Sequence, residues 1–183
     1  MPDYSIALHS DDALVTDRLF NAQTLNEISN HHTKLTENSC PDSVVDIGGL
    51  PDDARIIIIA GFPETCRYFK GEGIASRGDF SIIVPSMKQI IHLELKRTQK
   101  SISSIRIQLL GSAALVGYFK ALAEKQLNER HYLDGYSEKF VAIGYTSVDM
   151  RSSGSRKCSG SGDSPDDIRR IYYPGKLQFK SLL

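Results

Sequence analysis

The fold of this chain is decided by two segments, Gly78-Asp79-Phe80-Ser81-Ile82-Ile83-Val84-Pro85 and Ile90-Ile91-His92-Leu93-Glu94-Leu95-Lys96, with Met87-Lys88 between them. Both segments are rich in apolar and β-branched residues, and the short break between them is typical of a turn. The pattern therefore predicts two strands joined as a hairpin. Residues two apart in a strand point to the same face of the sheet. One face of the second strand is then apolar, and the other carries His92, Glu94 and Lys96.

The charged residues of the second strand need partners. A carboxylate and an ammonium group lose several kcal/mol of hydration free energy if they are buried alone among apolar side chains. A divalent metal ion and a phosphate group would supply partners for Glu94 and Lys96. The other interpretation is an ion pair between these two residues on a half-solvated edge strand, which would be worth under about 1 kcal/mol.

Asp79, Glu94 and Lys96 occur in a recognisable setting. An acid stands at the start of one strand, an E-x-K tripeptide lies in the next strand, and a helix is predicted from about Ser101. This arrangement resembles the PD-(D/E)xK nuclease superfamily, which has the restriction-endonuclease-like fold. The resemblance covers roughly residues 74–127, and Gly78 stands where the family motif has proline.

The resemblance implies an α/β fold with a mixed central β-sheet flanked by helices, and a site for Mg²⁺ or Mn²⁺. Asp79 and Glu94 would bind the metal ion, and the main-chain carbonyl of Leu95 would add a third ligand. Lys96 would orient or help to deprotonate the attacking water and offset charge on the phosphate. The implied reaction is hydrolysis of phosphodiester bonds, with Asp79, Glu94 and Lys96 as the catalytic residues.

The resemblance also draws attention to residues around these three. In the RecB-like branch a glutamine on the helix after the lysine lies near the site, and Gln108 is in that place. A further acid often completes the metal site, and the candidates here are Glu27, Glu64 and Glu72. Each of the three acids is better interpreted as a solvated surface residue, and a polar residue on the exposed helix face is at least as good an interpretation of Gln108.

The charge distribution supports a polyanionic substrate. The net charge of the chain is zero, but residues 1–94 carry a balance of −7 and residues 95–183 a balance of +7. The basic half begins at the E-x-K lysine, and Arg97, Lys100 and Arg106 follow it closely. Basic side chains beside acidic metal ligands would attract a nucleic acid backbone. The alternative is that the two halves of the chain interleave in space and their charges cancel locally.

The length of 183 residues indicates a single domain. We expect a nuclease-like core at about residues 52–150, preceded by an N-terminal helical extension over residues 1–50. The apolar spacing predicts a long helix over residues 105–128. The serine- and glycine-rich residues 151–167 predict a mobile loop, and residues 168–183 predict a closing pair of strands.

Composition excludes several classes of protein. Hydrophobic residues make up 40% and charged residues 24% of the chain, which is typical of a globular domain. The apolar run Ile56-Ile57-Ile58-Ile59-Ala60 is too short to span a bilayer, and the N-terminus lacks the pattern of a signal peptide, so we expect no membrane association. Three cysteines without C-x-x-C spacing favour a reducing cytoplasm over a disulfide framework or a thiolate zinc site.

The sequence thus favours a metal-dependent nuclease that acts on DNA rather than RNA, and a homodimer would allow it to cut both strands. A second hypothesis belongs to another class, a non-catalytic interaction or immunity protein with a chance E-x-K tripeptide. A third is a nuclease-fold protein that binds nucleic acid without cleaving it.

Overall fold

The computed structural model describes residues 8–37, 40–63, 75–96, 101–144, 157–172 and 175–183. The fold is mixed α/β, with two mixed sheets and two helices, α1 (Leu8–Leu19) and α2 (Ile102–Leu127). The strands are β1 (Leu25–Asn26), β2 (His32–Glu37), β3 (Cys40–Gly48), β4 (Arg55–Ile58), β5 (Phe80–Val84), β6 (Gln89–Lys96), β7 (Ser137–Gly144), β8 (Lys157–Ser159), β9 (Arg169–Tyr172) and β10 (Gly175–Gln178).

Seven strands form the large sheet in the order β1-β4-β5-β6-β7-β9-β8, and three form a small sheet in the order β10-β3-β2. Strands β4, β5 and β6 are antiparallel neighbours, whereas β6, β7 and β9 run parallel. Both helices pack on one face of the large sheet, and the small sheet covers the other. The predicted α/β class with a mixed central sheet is confirmed, but the helices lie on one side of that sheet rather than on both.

Strands β5 and β6 form the predicted hairpin. Phe80 pairs with Leu93 and Val84 with Gln89, and a 3₁₀ turn at Pro85–Met87 joins the strands. Lys88 ends this turn in the left-handed region, at a φ of 47°. Every residue of β5 is buried, and so is every residue of β6 after Gln89. Burial on both faces explains why β5 has a nearly continuous apolar sequence.

The two faces of β6 separate as the alternation predicts. Its apolar side chains pack into the core between the two sheets, together with residues of β3 and β10. The opposite face of the large sheet lies beneath α1 and α2. The apolar residues of β6 that enter the inter-sheet core are Ile91, Leu93 and Leu95.

Helix α2 begins and ends with capping residues. Ser101 precedes it, and the Ser101 hydroxyl accepts a hydrogen bond from the Ser104 amide at 3.3 Å. Asn128 ends it in the left-handed conformation, where Asn is tolerated better than most residues. The predicted helix is confirmed: it begins at Ile102, close to the start expected at about Ser101 and three residues before the apolar spacing begins at Ile105. Its buried residues are Ile105, Leu109, Ser112, Val116, Phe119 and Ala123.

Two glycines of α2 have different environments. A Cβ atom on Gly111 would collide with the main-chain oxygen of Ser76, so glycine lets the helix approach the segment that leads into β5. A Cβ atom on Gly117 would meet nothing within 4 Å. Close packing therefore requires glycine at position 111, where the neighbour is the segment before β5, but not at position 117.

The chain outside the core differs from the expectation. Residues 1–50 are not a helical extension, because within their described part only Leu8–Leu19 is helical and β2 and β3 build the small sheet. The closing strands do not pair with each other: β9 joins the large sheet beside β7, and β10 joins β3. Separation into two sheets lets β10 bury Leu177 in the core between them. Within the predicted loop, Lys157–Ser159 forms a strand on the edge of the large sheet.

Helix α2 also has the length and the apolar composition of a membrane-spanning segment, the one such helix in the described part of the chain. Core helices of globular proteins pass the same test, so the observation carries little weight. The sheet already covers one side of α2.

We predict that Gly111→Ala lowers the free energy of unfolding by about 2 kcal/mol, because the helix must move away from the Ser76 carbonyl. The matched control is Gly117→Ala in the same helix, which we expect to raise stability by roughly 0.5–1 kcal/mol through helix propensity. Urea denaturation measures both. Equal effects of the two substitutions would contradict the packing that we assign to Gly111.

Candidate active site

The hairpin brings Asp79 and Glu94 opposite each other. The pairing of Phe80 with Leu93 places Asp79, one residue earlier, across from Glu94. The Asp79 amide donates to the carbonyl of Leu93 at 3.0 Å, and Asp79 Oδ2 accepts a hydrogen bond from the Leu95 amide at 2.7 Å. Residues directly opposite in an antiparallel pair share a face of the sheet. Lys96, two residues after Glu94, points to that face as well.

Glu94 and Lys96 form a buried ion pair. Glu94 is 0% exposed and Lys96 is 6% exposed. Lys96 Nζ contacts Glu94 Oε1, whereas Glu94 Oε2 has no hydrogen-bond partner in the described part of the structure. An unpartnered carboxylate oxygen in the interior costs free energy, so this site is not optimised for stability.

Hydrogen bonds to helix α2 hold the segment that carries Asp79. The Gly78 amide donates to Ser112 Oγ at 2.8 Å and to the carbonyl of Gln108 at 2.9 Å. A Cβ atom at position 78 would lie 2.9 Å from both the Leu93 carbonyl and Ser112 Oγ, and 3.3 Å from Glu94 Oε2. Proline has no amide hydrogen to donate to α2. These contacts explain why glycine, rather than proline, occupies position 78.

His92 is buried on the same face and has its own polar neighbours. Ser81 Oγ lies 2.9 Å from His92 Nδ1, and the Phe140 ring packs beside the imidazole with centroids 5.4 Å apart. His92 Nε2 lies 3.8 Å from Glu138 Oε1, beyond hydrogen-bond distance. The nearby imidazole lowers the pKa of Glu138, against the opposing effect of partial burial. The ring is held inside the sheet and is 0% exposed.

Helix α2 supplies two polar side chains that contact Arg77 and Gly78, the residues just before Asp79. Sequence reasoning missed Ser112, because a serine on the apolar side of a helix gives no signal until its partner in another element is known. Gln108 was proposed, and its Nε2 lies 3.5 Å from the carbonyl of Arg77. The Gln108 side-chain oxygen is buried without a hydrogen-bond partner in the described part of the chain.

The remaining predicted site residues are found in different parts of the chain, and some lie outside its described part. Arg106 is exposed on α2 and forms an ion pair with Asp166 at 2.8 Å. Glu27 is exposed next to the edge strand β1 and does not join Asp79 and Glu94. The roles of the Leu95 carbonyl and of the basic residues remain predictions. Four of the predicted residues lie outside the described part of the chain: Glu64, Glu72, Arg97 and Lys100.

The side chains present supply some of the oxygen ligands that a hard divalent cation needs. Mg²⁺ prefers oxygen ligands and is commonly held by one or two carboxylates, with water and substrate oxygens completing its shell. Asp79 and Glu94 supply two carboxylates on one face, and Glu94 Oε2 lacks a protein partner. In the residues that the structure describes, no group of three or more His, Cys, Asp or Glu side chains is placed to hold a metal ion.

No family model, no curated protein and no solved structure matches this chain. The resemblance to the PD-(D/E)xK superfamily therefore rests on Asp79, Glu94, Lys96 and the geometry around them.

We predict that Lys96→Met lowers the free energy of unfolding by about 3 kcal/mol, because it leaves the buried Glu94 carboxylate without its cation. The control is Lys125→Met, which breaks an exposed pair with Glu124 on α2 and should leave the denaturation midpoint unchanged. Denaturant titration of both variants at neutral pH tests this. A Lys96→Met protein as stable as the wild type would show that Glu94 has other support.

Proposed function

We propose that the protein is a metal-dependent nuclease that hydrolyses phosphodiester bonds, with DNA as the favoured substrate. The observation that carries the proposal is the arrangement of a partly buried Asp79 beside the buried pair of Glu94 and Lys96. Two carboxylates and an ammonium group lie on one face of adjacent strands, and one oxygen of Glu94 has no hydrogen-bond partner among the described residues. Buried ionisable groups with incomplete pairing are common at functional sites because chemistry, rather than stability, maintains them.

The order of elements supports the same proposal. An acid precedes β5, the E-x-K tripeptide ends β6, and α2 follows after a short connection. This is the strand–turn–strand–helix setting that the resemblance to the PD-(D/E)xK superfamily implies. We therefore include a restriction-endonuclease-like core in the proposal.

Each residue has a role that its position permits. Asp79 and Glu94 would bind the divalent cation through hard oxygen atoms. When bound, Mg²⁺ or Mn²⁺ acts as a Lewis acid and lowers the pKa of a coordinated water. Lys96 would offset the charge that develops on the phosphate oxygens in the transition state. The amide of Leu95 holds Asp79 Oδ2, which fixes the orientation of this carboxylate.

The burial of the site favours a second candidate. Glu94 and Lys96 are almost completely enclosed, as an ion pair that only supports the fold would be. In that case the protein is a non-catalytic interaction protein. The two candidates differ in their response to divalent cations, because a purely internal ion pair has no use for one.

The deciding experiment compares wild-type protein with Asp79→Asn in cleavage of supercoiled plasmid and of single-stranded RNA, each with Mg²⁺ or Mn²⁺. Asparagine keeps an oxygen that can accept the hydrogen bond of the Leu95 amide, so the fold should survive. We expect the substitution to reduce cleavage by about 100-fold or more, since it removes the negative charge of a metal ligand.

The matched control is Asp53→Asn, the same chemical change at a carboxylate that also accepts a main-chain amide hydrogen, from Ser86 at 2.5 Å. Cleavage should be unchanged in this variant. If wild-type protein cleaves neither substrate with either metal, the catalytic proposal is wrong. Retarded migration of DNA without cleavage would instead identify a nuclease-fold protein that only binds nucleic acid.

A further inference from the structure

Helix α2 has an apolar side that the fold leaves uncovered. The large exposed side chains on this side are Ile107 at 40%, Leu110 at 39% and Tyr118 at 57%, and Ile102 is exposed at the first residue of the helix. The small residues between and beyond them are also exposed. We define the outer face of α2 as Ile107, Leu110, Ala114, Gly117, Tyr118 and Ala121.

The spacing of the outer face is that of one continuous helical stripe. Its members recur at intervals of three and four residues, so they lie above one another along the helix. With a rise of about 1.5 Å per residue, the stripe from Ile107 to Ala121 is roughly 21 Å long. Its middle consists of Ala114 and Gly117, which would let another helix approach closely. Exposed apolar surface of this extent is typical of an interaction site.

We propose that the outer face of α2 pairs with the same face of a second copy of this chain, with the two helices antiparallel. A two-fold axis midway along the stripe, at Ala114, places Ile107 beside Ala121 of the partner subunit and Leu110 beside Tyr118 of the partner subunit. Large side chains of one helix then lie against smaller ones or against the aromatic ring of the other. The stripe is complementary to itself, as a two-fold interface requires.

The positions of two charged residues favour a second copy of this chain as the binding partner. Arg106 and Glu124 are exposed, and they are 18 residues apart, which is five full turns at 3.6 residues per turn. They therefore lie on the same flank of α2, one near each end of the outer face. The antiparallel two-fold arrangement brings Arg106 next to Glu124 of the partner subunit, and the symmetry makes this contact twice. A parallel two-fold arrangement would place these flanks on opposite sides of the interface, so Arg106 and Glu124 would not meet across it.

The present partners of these two residues do not prevent the exchange. Arg106 pairs with Asp166, whose side chain is 77% exposed, and Glu124 pairs with Lys125, whose side chain is 72% exposed. Exposed ion pairs of this kind contribute little stability, so they can be replaced at small cost. The inference gives Arg106 a role other than the nucleic acid contact predicted from its charge, and it stands independently of the nuclease proposal.

The test is the oligomeric state of the full chain, measured by sedimentation equilibrium over roughly 1–500 µM, the range suited to an interface of one helix per subunit. We expect reversible dimerisation of the wild type. Arg106→Glu and Glu124→Arg should each weaken dimerisation by about tenfold, because each substitution creates two like-charge contacts. Lys180→Glu, a charge reversal at an exposed residue outside α2, is the control and should have no effect.

Restoration of the dimer is the specific part of the test. The double variant Arg106→Glu/Glu124→Arg should dimerise like the wild type, and so should an equimolar mixture of the two single variants. Leu110→Asp should abolish dimerisation without unfolding, since this side chain is already 39% exposed.

Three results would overturn the proposal. The first is a wild type that stays monomeric throughout the concentration range. The second is a double variant that associates as weakly as the single variants. The third is binding of the wild type, but not of Leu110→Asp, to phosphatidylcholine vesicles, which would assign the outer face to a lipid surface.

Discussion

The close approach of α2 to the segment before β5 is the contact on which the other features of this structure depend. Gly111 lies against the Ser76 carbonyl, and the Gly78 amide is held by Ser112 Oγ and the Gln108 carbonyl. These contacts set the position of Asp79 and lay the helix over the charged end of β6. They also determine which side of α2 is left for solvent or for a partner. A shift of the helix would therefore change the candidate site and the outer face together.

The stability of the fold does not by itself explain why Glu94 and Lys96 lie beneath α2. A buried ion pair can often be replaced by apolar side chains of similar volume without loss of stability. Further along the same face, beyond the polar pair Ser81 and His92, the positions are filled by apolar side chains, Ile83 and Ile90. The retention of Glu94 and Lys96 at the end of such a face, with one carboxylate oxygen lacking a partner in the described structure, is more easily explained by a ligand than by folding. This is the physical reason for preferring a site to a structural ion pair.

Local patterns predicted the hairpin, the long helix and the division of β6 into an apolar and a polar face, because each depends on residues close in sequence. Pairing over long distances was not predictable in this way: β10 joins β3, more than 120 residues earlier in the chain. The two glycines of α2 also show that local sequence patterns do not reveal contacts between distant segments. Gly111 and Gly117 lie at about 60° on opposite flanks of Ala114, so helical periodicity treats them alike. Only the flank of Gly111 meets Ser76, and no sequence pattern places Ser76 there.

Helix α2 is apolar on almost all sides, and helices of this kind are normally buried on all sides. The sheet accounts for the inner side only. A bilayer would not easily replace the inner contacts, because Ser112 and Gln108 make hydrogen bonds there to Gly78 and Arg77. Nor does a bilayer suit the open flank, where Arg106 and Glu124 stand one near each end of the apolar stripe. Opposite charges at similar distances on either side of its centre favour a second copy of the same helix, running in the opposite direction.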